Sequence, residues 1–121
     1  MSVGILIVSH GELAAQLIQI ATSTFGGEAP LQCTSLSVSQ TCDPDVMMTA
    51  NADMISELDQ GDGVLIFTDA YGSTPSNIAN RLATIGKSTS KVIAGVNLPM
   101  LLRVFNYPEQ SLEELSTIAF D

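Results

Sequence analysis

The fold class is indicated most clearly by residues 3–11, which read Val-Gly-Ile-Leu-Ile-Val-Ser-His-Gly. The first six of these residues, Val3 to Val8, form a continuous apolar run that is rich in branched side chains. Such a run is typical of a strand buried on both faces, as in a parallel sheet covered by helices. The run ends at Ser9-His10-Gly11, so the only histidine of the chain follows the carboxyl end of this strand.

After this strand, short apolar runs alternate with segments whose apolar residues recur at helical spacing. Further strands are predicted over Leu31 to Val38, Val64 to Phe67 and Lys91 to Val96. Helices are predicted over Glu12 to Phe25, Asp43 to Leu58, Thr74 to Gly86, Leu98 to Asn106, and after Ser111. This alternation indicates an α/β fold of three αβα layers around a mainly parallel sheet, for which we expect the strand order 2-1-3-4.

Three of the predicted helices begin at a recognisable capping sequence. Asp43 precedes a proline in the first turn, and Thr74 is likewise followed directly by Pro75. Ser111 and Glu114 have the spacing of a capping box. These sequences predict helix starts at all three places.

Length and composition restrict the class of protein. The 121 residues suit one domain, residues 1–121, and 45% apolar against 14% charged residues is enough to build a core. A net charge of −9 disfavours binding to nucleic acid or to anionic lipid. The apolar run near the N-terminus is too short for membrane insertion, and two dispersed cysteines suit a reducing cytoplasm.

A possible catalytic pair lies at the ends of two predicted strands. His10 follows the first strand and Asp69 follows the third, and these ends are neighbours if the strand order is 2-1-3-4. A carboxylate that accepts a hydrogen bond from Nδ1–H of an imidazole leaves Nε2 unprotonated and directed outward. We therefore predict His10 as a nucleophile and Asp69 as the group that orients it.

An anion-binding segment is predicted beside this pair. Residues 72–77 connect a strand end to a helix start, where free N–H groups and hydroxyls favour a phosphoryl group. The candidate phosphate-binding residues are Gly72, Ser73, Thr74 and Ser76. A purely structural alternative is that Thr74 only caps its helix. A histidine across from this segment favours phosphohistidine chemistry, which requires mainly positioning and charge stabilisation and no metal or organic cofactor.

The sequence resembles the mannose-type enzyme IIA domains of the bacterial phosphoenolpyruvate-dependent sugar phosphotransferase system. The resemblance lies in Ile-Val-Ser-His-Gly at 7–11, Asp-Ala-Tyr-Gly-Ser-Thr-Pro-Ser-Asn at 69–77 and Val-Ile-Ala-Gly-Val-Asn-Leu-Pro-Met-Leu at 92–101. It implies that His10 is phosphorylated and that Asp69 orients it. It also implies a histidine phosphocarrier protein as donor and an enzyme IIB domain as acceptor in sugar uptake.

Two departures from the family pattern bear on the site and on assembly. Ala70 stands where family members often have a hydroxyl residue, which removes one potential phosphate contact. The family often forms homodimers by exchanging a strand beyond the last helix, and we expect a homodimer although this sequence leaves little room for that strand.

Other functions remain as alternatives or are excluded by the sequence. Gly86-Lys87-Ser88-Thr89 imitates part of a P-loop but follows a helix instead of a strand, so nucleotide binding is rejected. A zinc site would have to be assembled from scattered ligands. A receiver domain phosphorylated on Asp69 would need an acidic pair where Ser9-His10 stands. A regulatory phosphoprotein that controls partner proteins by its phosphorylation state remains open, as does a carrier that feeds a dihydroxyacetone kinase.

Overall fold

A computed structural model describes residues 2–39, 41–85 and 88–120 of the chain. The strands are β1 (Gly4–His10), β2 (Cys33–Val38), β3 (Val64–Thr68) and β4 (Ser90–Ala94). The helices are α1 (Leu13–Thr24), α2 (Pro44–Ala50), α3 (Met54–Leu58), α4 (Thr74–Ala83), α5 (Leu98–Phe105) and α6 (Leu112–Phe120). The strands pair in parallel in the order β2-β1-β3-β4, which confirms the predicted α/β fold and its strand order.

The sheet is buried between two layers of helices, each with its own apolar cluster. On one face, Ile5 and Ile7 of β1 pack with residues of α1, α5 and α6. On the other face, Leu6 and Val8 pack with residues of α2, α3 and α4. Alternate residues of β1 therefore point into opposite layers, which explains the unbroken apolar run in the sequence.

Strand register brings the predicted site residues together. In the ladder between β1 and β3, Val8 is paired with Thr68. His10 is the last residue of β1 and pairs with Val38 of the edge strand β2. Asp69 comes immediately after Thr68, so His10 and Asp69 lie together where the strands end. We call this side of the sheet its carboxyl edge.

Two helix predictions need correction. The segment predicted as one helix from Asp43 to Leu58 forms α2 and α3, because Asn51 ends the first: its side chain and its amide both donate to the carbonyl of Met47. The next helix is capped by Ser73, not Thr74, since the Ser73 hydroxyl accepts from the Ser76 amide. This helix ends at Ala83 with Thr84 as its C-cap, three residues before the predicted end at Gly86, which lies outside the described residues.

The other capping predictions are confirmed by hydrogen bonds. The Asp43 side chain accepts from the Asp45 amide, which caps α2. Ser111 and Glu114 exchange hydrogen bonds at the start of α6, as a capping box requires. No helix within residues 2–39, 41–85 and 88–120 is both long and apolar enough to cross a bilayer.

Candidate functional site

His10 and Asp69 form a close pair at the carboxyl edge of the sheet. The Nδ1 atom of His10 lies 2.7 Å from Oδ2 of Asp69. The side chain of His10 is 48% exposed, whereas that of Asp69 is 11% exposed. The carboxylate is therefore the fixed partner, and the imidazole presents its other edge to solvent.

Four donors surround the carboxylate of Asp69. Oδ2 accepts from the backbone amide of His10 at 2.9 Å as well as from the imidazole. Oδ1 accepts from the amide of Ala70 at 2.9 Å and more weakly from the hydroxyl of Thr68 at 3.5 Å. Because both oxygens are held, the carboxylate has one fixed direction from which to orient the ring.

These donors also determine the charge of Asp69. Burial by itself raises the pKa of Asp69, because it disfavours the charged form. The amide and imidazole of His10, followed by the amide of Ala70, outweigh burial and hold the pKa of Asp69 below its ordinary value. Asp69 is thus an ionised acceptor at neutral pH.

An ionised acceptor selects the tautomer of a neutral His10. With Asp69 ionised, Nδ1 carries the proton and donates it to Oδ2, which leaves the lone pair on Nε2. This assignment follows from the hydrogen-bond network. In the neutral ring, the geometry therefore leaves the nitrogen opposite Asp69 unprotonated on a half-exposed side chain, which suits nucleophilic attack.

The turn after His10 is fastened by two serine hydroxyls that the sequence analysis did not identify. Ser9 is fully buried, and its Oγ accepts from the amide of Ala14 in the first turn of α1 at 2.9 Å. Ser37 on β2 donates to the carbonyl of Gly11 at 2.7 Å. Position beside His10 could have suggested Ser9, but no sequence signal distinguishes Ser37 from Ser35, the other serine of β2.

The start of α4 lies beside the pair in sequence and carries the predicted phosphate-binding residues. Gly72 and Thr74 are exposed, and Gly72 has a φ of +80°. Within the described residues, the backbone amides of Tyr71, Gly72 and Thr74 donate to no protein acceptor. Free amides at the positive end of a helix favour an anion, so this segment retains donors that a phosphoryl group could use.

Ser73 and Ser76 are already engaged in the helix cap. The Ser73 hydroxyl donates to the carbonyl of Ala70 at 2.5 Å and accepts from the Ser76 amide at 3.4 Å. Ser76 is only 2% exposed. Of the predicted phosphate-binding residues, Gly72 and Thr74 are therefore better placed than Ser73 and Ser76 to receive phosphate oxygens in this conformation.

The surface near His10 combines apolar and acidic side chains. Tyr71 is 89% exposed and Leu13 is 43% exposed. Glu12, directly before α1, is also exposed. A concavity of about 600 Å³ lies elsewhere, between α5 and α6, and His10 and Asp69 do not line it. His10 and Asp69 thus lie outside this concavity.

A family model matches almost the whole chain. The matched family is described as the PTS system fructose IIA component, and the match covers residues 4–118. A curated relative, the PTS system mannose-specific EIIAB component of Escherichia coli strain K12, is 30% identical over 123 residues. That alignment covers all of this chain and 37% of the relative, so the chain spans little more than a third of the relative's length.

Solved structures show the same fold. The mannose/sorbose-specific IIA subunit of the phosphotransferase system from Enterococcus faecalis has a TM-score of 0.81 at 22% identity, covering 99% of this chain and 88% of that chain. The phosphotransferase system component EIIA from Streptococcus agalactiae has a TM-score of 0.78 at 20% identity, covering 98% and 89% respectively. At these identities the likeness is one of fold.

Proposed function

From the premise that the chain belongs to the fructose and mannose IIA family of the phosphotransferase system, we propose that it is a cytoplasmic phosphocarrier with His10 as its acceptor. Its donor is the histidine phosphocarrier protein, and its acceptor is an enzyme IIB component in sugar uptake. The observation that carries this proposal is the 2.7 Å contact between Nδ1 of His10 and Asp69, which leaves Nε2 free at the surface.

The transfer step is an in-line displacement at phosphorus. The Nε2 lone pair of His10 attacks the phosphoryl group carried on a histidine of the donor protein. A new N–P bond forms on His10 while the donor's N–P bond breaks, and its electron pair returns to the donor's imidazole. The Nδ1 proton of His10 remains on the ring, hydrogen-bonded to Asp69, and no separate proton acceptor is needed.

Asp69 contributes orientation and charge. Its carboxylate fixes the ring before attack, and it faces the positive charge that the imidazole gains when Nε2 binds phosphorus. The reverse transfer to an acceptor uses the same contact, because phosphorylated His10 then becomes the leaving group. An uncharged side chain at position 69 would not stabilise the positive charge on the ring, and it would orient the ring less firmly.

The amides near the start of α4 supply the remaining stabilisation. The N–H groups of Gly72 and Thr74 and the Thr74 hydroxyl are proposed to receive phosphate oxygens, with Ser73 and Ser76 contributing through the cap that shapes the segment. Phosphoryl transfer requires mainly positioning and charge stabilisation from a protein. These groups and the pair therefore suffice for the chemistry without a resident metal or organic cofactor.

The proposed assembly is a homodimer. Ile20, Tyr107 and Phe120 are large apolar residues that lie on or beside α1, α5 and α6 and are 45% to 72% exposed. These helices form the layer opposite α2 to α4, so a second copy could cover these side chains and leave the layer of α2 to α4 free. Analytical ultracentrifugation tests this, and a monomer at tens of micromolar would refute it.

The experiment that tests the proposed function is phosphoryl transfer with purified proteins. Phosphorylated histidine phosphocarrier protein should label this chain once per copy, and mass spectrometry should locate the label on His10. The modification should be lost in acid and retained in alkali, as expected for phosphohistidine. A label that is lost in alkali and located on Asp69 would instead support the receiver alternative.

The acceptor is tested in the same way. The isolated phosphorylated chain is mixed with purified enzyme IIB proteins, and label should move to one of them. Retention of label with every IIB protein, together with phosphorylation-dependent binding to another protein, would replace the transport role with the regulatory one.

A further inference from the structure

Ser37 holds the turn that follows the acceptor histidine. Its Oγ donates to the carbonyl oxygen of Gly11 at 2.7 Å, across 26 positions of sequence. In the same place, the Gly11 amide donates to the carbonyl of Val38 at 3.3 Å. Both polar backbone groups of Gly11 are therefore bonded to the end of the edge strand β2.

The conformation of Gly11 makes this attachment significant. Gly11 has a φ of +51°, and a Cβ built there would meet nothing within 4 Å. The side-chain position of Gly11 therefore faces open space, and the two hydrogen bonds to β2 are contacts that hold its backbone. Ser37 is itself exposed on β2, whose other edge has no strand partner within the described residues.

The imidazole is held from one side only. Nδ1 is bonded to Asp69, and no hydrogen bond within the described residues reaches Nε2. The position of Nε2 therefore depends on the bond to Asp69 and on the backbone of His10, which leads directly into the Gly11 turn. The same turn leads into Glu12 and Leu13, the N-cap and the first residue of α1.

We propose that Ser37 is a positioning residue for phosphoryl transfer, which acts by fixing the Gly11 turn and thereby the reacting edge of His10. This inference rests on the proposed function and extends it to a residue on a different strand. Ser37 makes no contact with the reacting nitrogen. Its effect is on geometry, and small misplacements of a reacting group reduce rates disproportionately.

The strand provides a matched control for the test. Ser35 lies two positions before Ser37 on the same strand, is exposed as well, and its hydroxyl makes no hydrogen bond within the described residues. Ser37→Ala removes the bond to Gly11, Ser35→Ala removes an uninvolved hydroxyl, and Ser37→Thr retains a hydroxyl at the same position. All three substitutions keep the strand and its buried face.

The first readout is the rate of phosphoryl uptake from phosphorylated histidine phosphocarrier protein at several donor concentrations. Ser37→Ala should lower the saturating rate by about threefold to tenfold, the equivalent of one hydrogen bond, with an unchanged half-saturating donor concentration. Ser35→Ala should match the wild type, and Ser37→Thr should restore most of the rate. Equal rates for the two alanine variants, or a change confined to the half-saturating concentration, would overturn the proposal.

The second readout needs no phosphoryl donor and separates this inference from the proposed function. Amide hydrogen exchange at Gly11, measured by NMR on the unmodified protein, should be about threefold to tenfold faster in Ser37→Ala and unchanged in Ser35→Ala. Unchanged exchange would refute the role of Ser37 in the turn. Exchange at Gly11 that is faster in Ser37→Ala confirms that Ser37 holds the turn. If the wild type nevertheless accepts no phosphoryl group, the proposed function is wrong.

Discussion

The glycines at the two ends of the parallel strands differ in how closely other atoms approach them. The amino edge is the side of the sheet where the strands begin, and the carboxyl edge is the side where they end. At the amino edge, a Cβ added to Gly63 would lie 2.7 Å from the carbonyl oxygen of Thr89. At the carboxyl edge, a Cβ added to Gly11, Gly72 or Gly95 would meet nothing within 4 Å. The backbone is therefore closely packed around Gly63, whereas open space surrounds these three glycines at the carboxyl edge.

Each edge also contains an aspartate that accepts several hydrogen bonds. At the amino edge, Asp59 Oδ1 accepts from the amides of Gly61 and Gly63 at 2.8 and 3.0 Å, and these bonds close the turn before β3. At the carboxyl edge, Asp69 holds the exposed ring of His10. Similar carboxylates can thus have different roles. Asp59 binds backbone amides and stabilises a turn, whereas Asp69 binds an exposed imidazole and prepares it as a nucleophile.

The largest expected effect is at the carboxyl edge. His10→Ala should abolish labelling by the phosphorylated histidine phosphocarrier protein, since no other imidazole exists in the chain. The fold should remain intact, because the side chain is half exposed and contributes little to the core. Labelling is followed by mass spectrometry and folding by circular dichroism, and full labelling of this variant would end the phosphohistidine hypothesis.

The next effect tests the close packing of the amino edge. Gly63→Ala and Gly95→Ala place a Cβ at nearly the same φ, +86° and +84°. Each should lose about 1–2 kcal/mol of unfolding free energy from the backbone conformation, and Gly63→Ala should lose about 1–3 kcal/mol more because its Cβ meets backbone.

Urea unfolding measures both losses. The difference between these two variants reports mainly on packing, because their φ angles nearly match. Equal losses for the two would show that the edges do not differ as described.

Substitution of each aspartate by asparagine tests whether Asp69 and Asp59 have different roles. Asp69→Asn should slow phosphoryl uptake by about 10-fold to 100-fold without reducing the final stoichiometry, as expected when a group that orients an imidazole is lost. Asp59→Asn should leave the rate unchanged and should lower the free energy of unfolding by about 1 kcal/mol through weaker turn bonds. Stopped-flow transfer assays supply the rates, and a slow Asp59→Asn variant would contradict the division of roles.

The smallest effect concerns stability in acid. The amides of Gly61 and Gly63, together with the Ser88 side chain, hold the pKa of Asp59 below its ordinary value, and burial does not reverse this. The pKa of Asp69 is also lowered, against the effect of its burial. A carboxyl with a lowered folded-state pKa stabilises the fold above the unfolded pKa of about 4, and loses this as pH falls through the folded value.

Urea midpoints between about pH 2 and pH 6 check this expectation. The wild type should lose more stability on acidification than Asp59→Asn or Asp69→Asn, by less than about 1 kcal/mol for each exposed or partly exposed group. A wild type that is no more sensitive to acid than both variants would show that these carboxyls are not stabilised by their donors.

Much of the fold could be predicted because the sheet is buried on both faces. The continuous apolar runs at Val3 to Val8 and Val64 to Phe67 leave few alternatives to parallel strands, and helices between them restrict the topology. The proximity of His10 and Asp69 then follows from strand order alone. The central pair of the candidate site was thus accessible from the sequence.

The errors arose where neighbouring residues offered equivalent local structures. Ser73 and Thr74 both carry hydroxyls, and proline is tolerated in either of the first two helical positions, so the cap could be misplaced by one residue. The bond between Ser37 and Gly11 joins distant segments, and its partner is fixed only by register between β1 and β2. Contacts of this kind require coordinates.

NMR of the phosphorylated protein, with nitrogen-15 in the imidazole, shows which nitrogen of His10 carries the phosphoryl group. We expect phosphorus coupling to Nε2 of His10 and a proton retained on Nδ1, whose resonance shifts in Asp69→Asn. Phosphorus bonded to Nδ1 would contradict the account, because that nitrogen is the one held 2.7 Å from Asp69. An Nδ1 resonance indifferent to Asp69→Asn would contradict it equally.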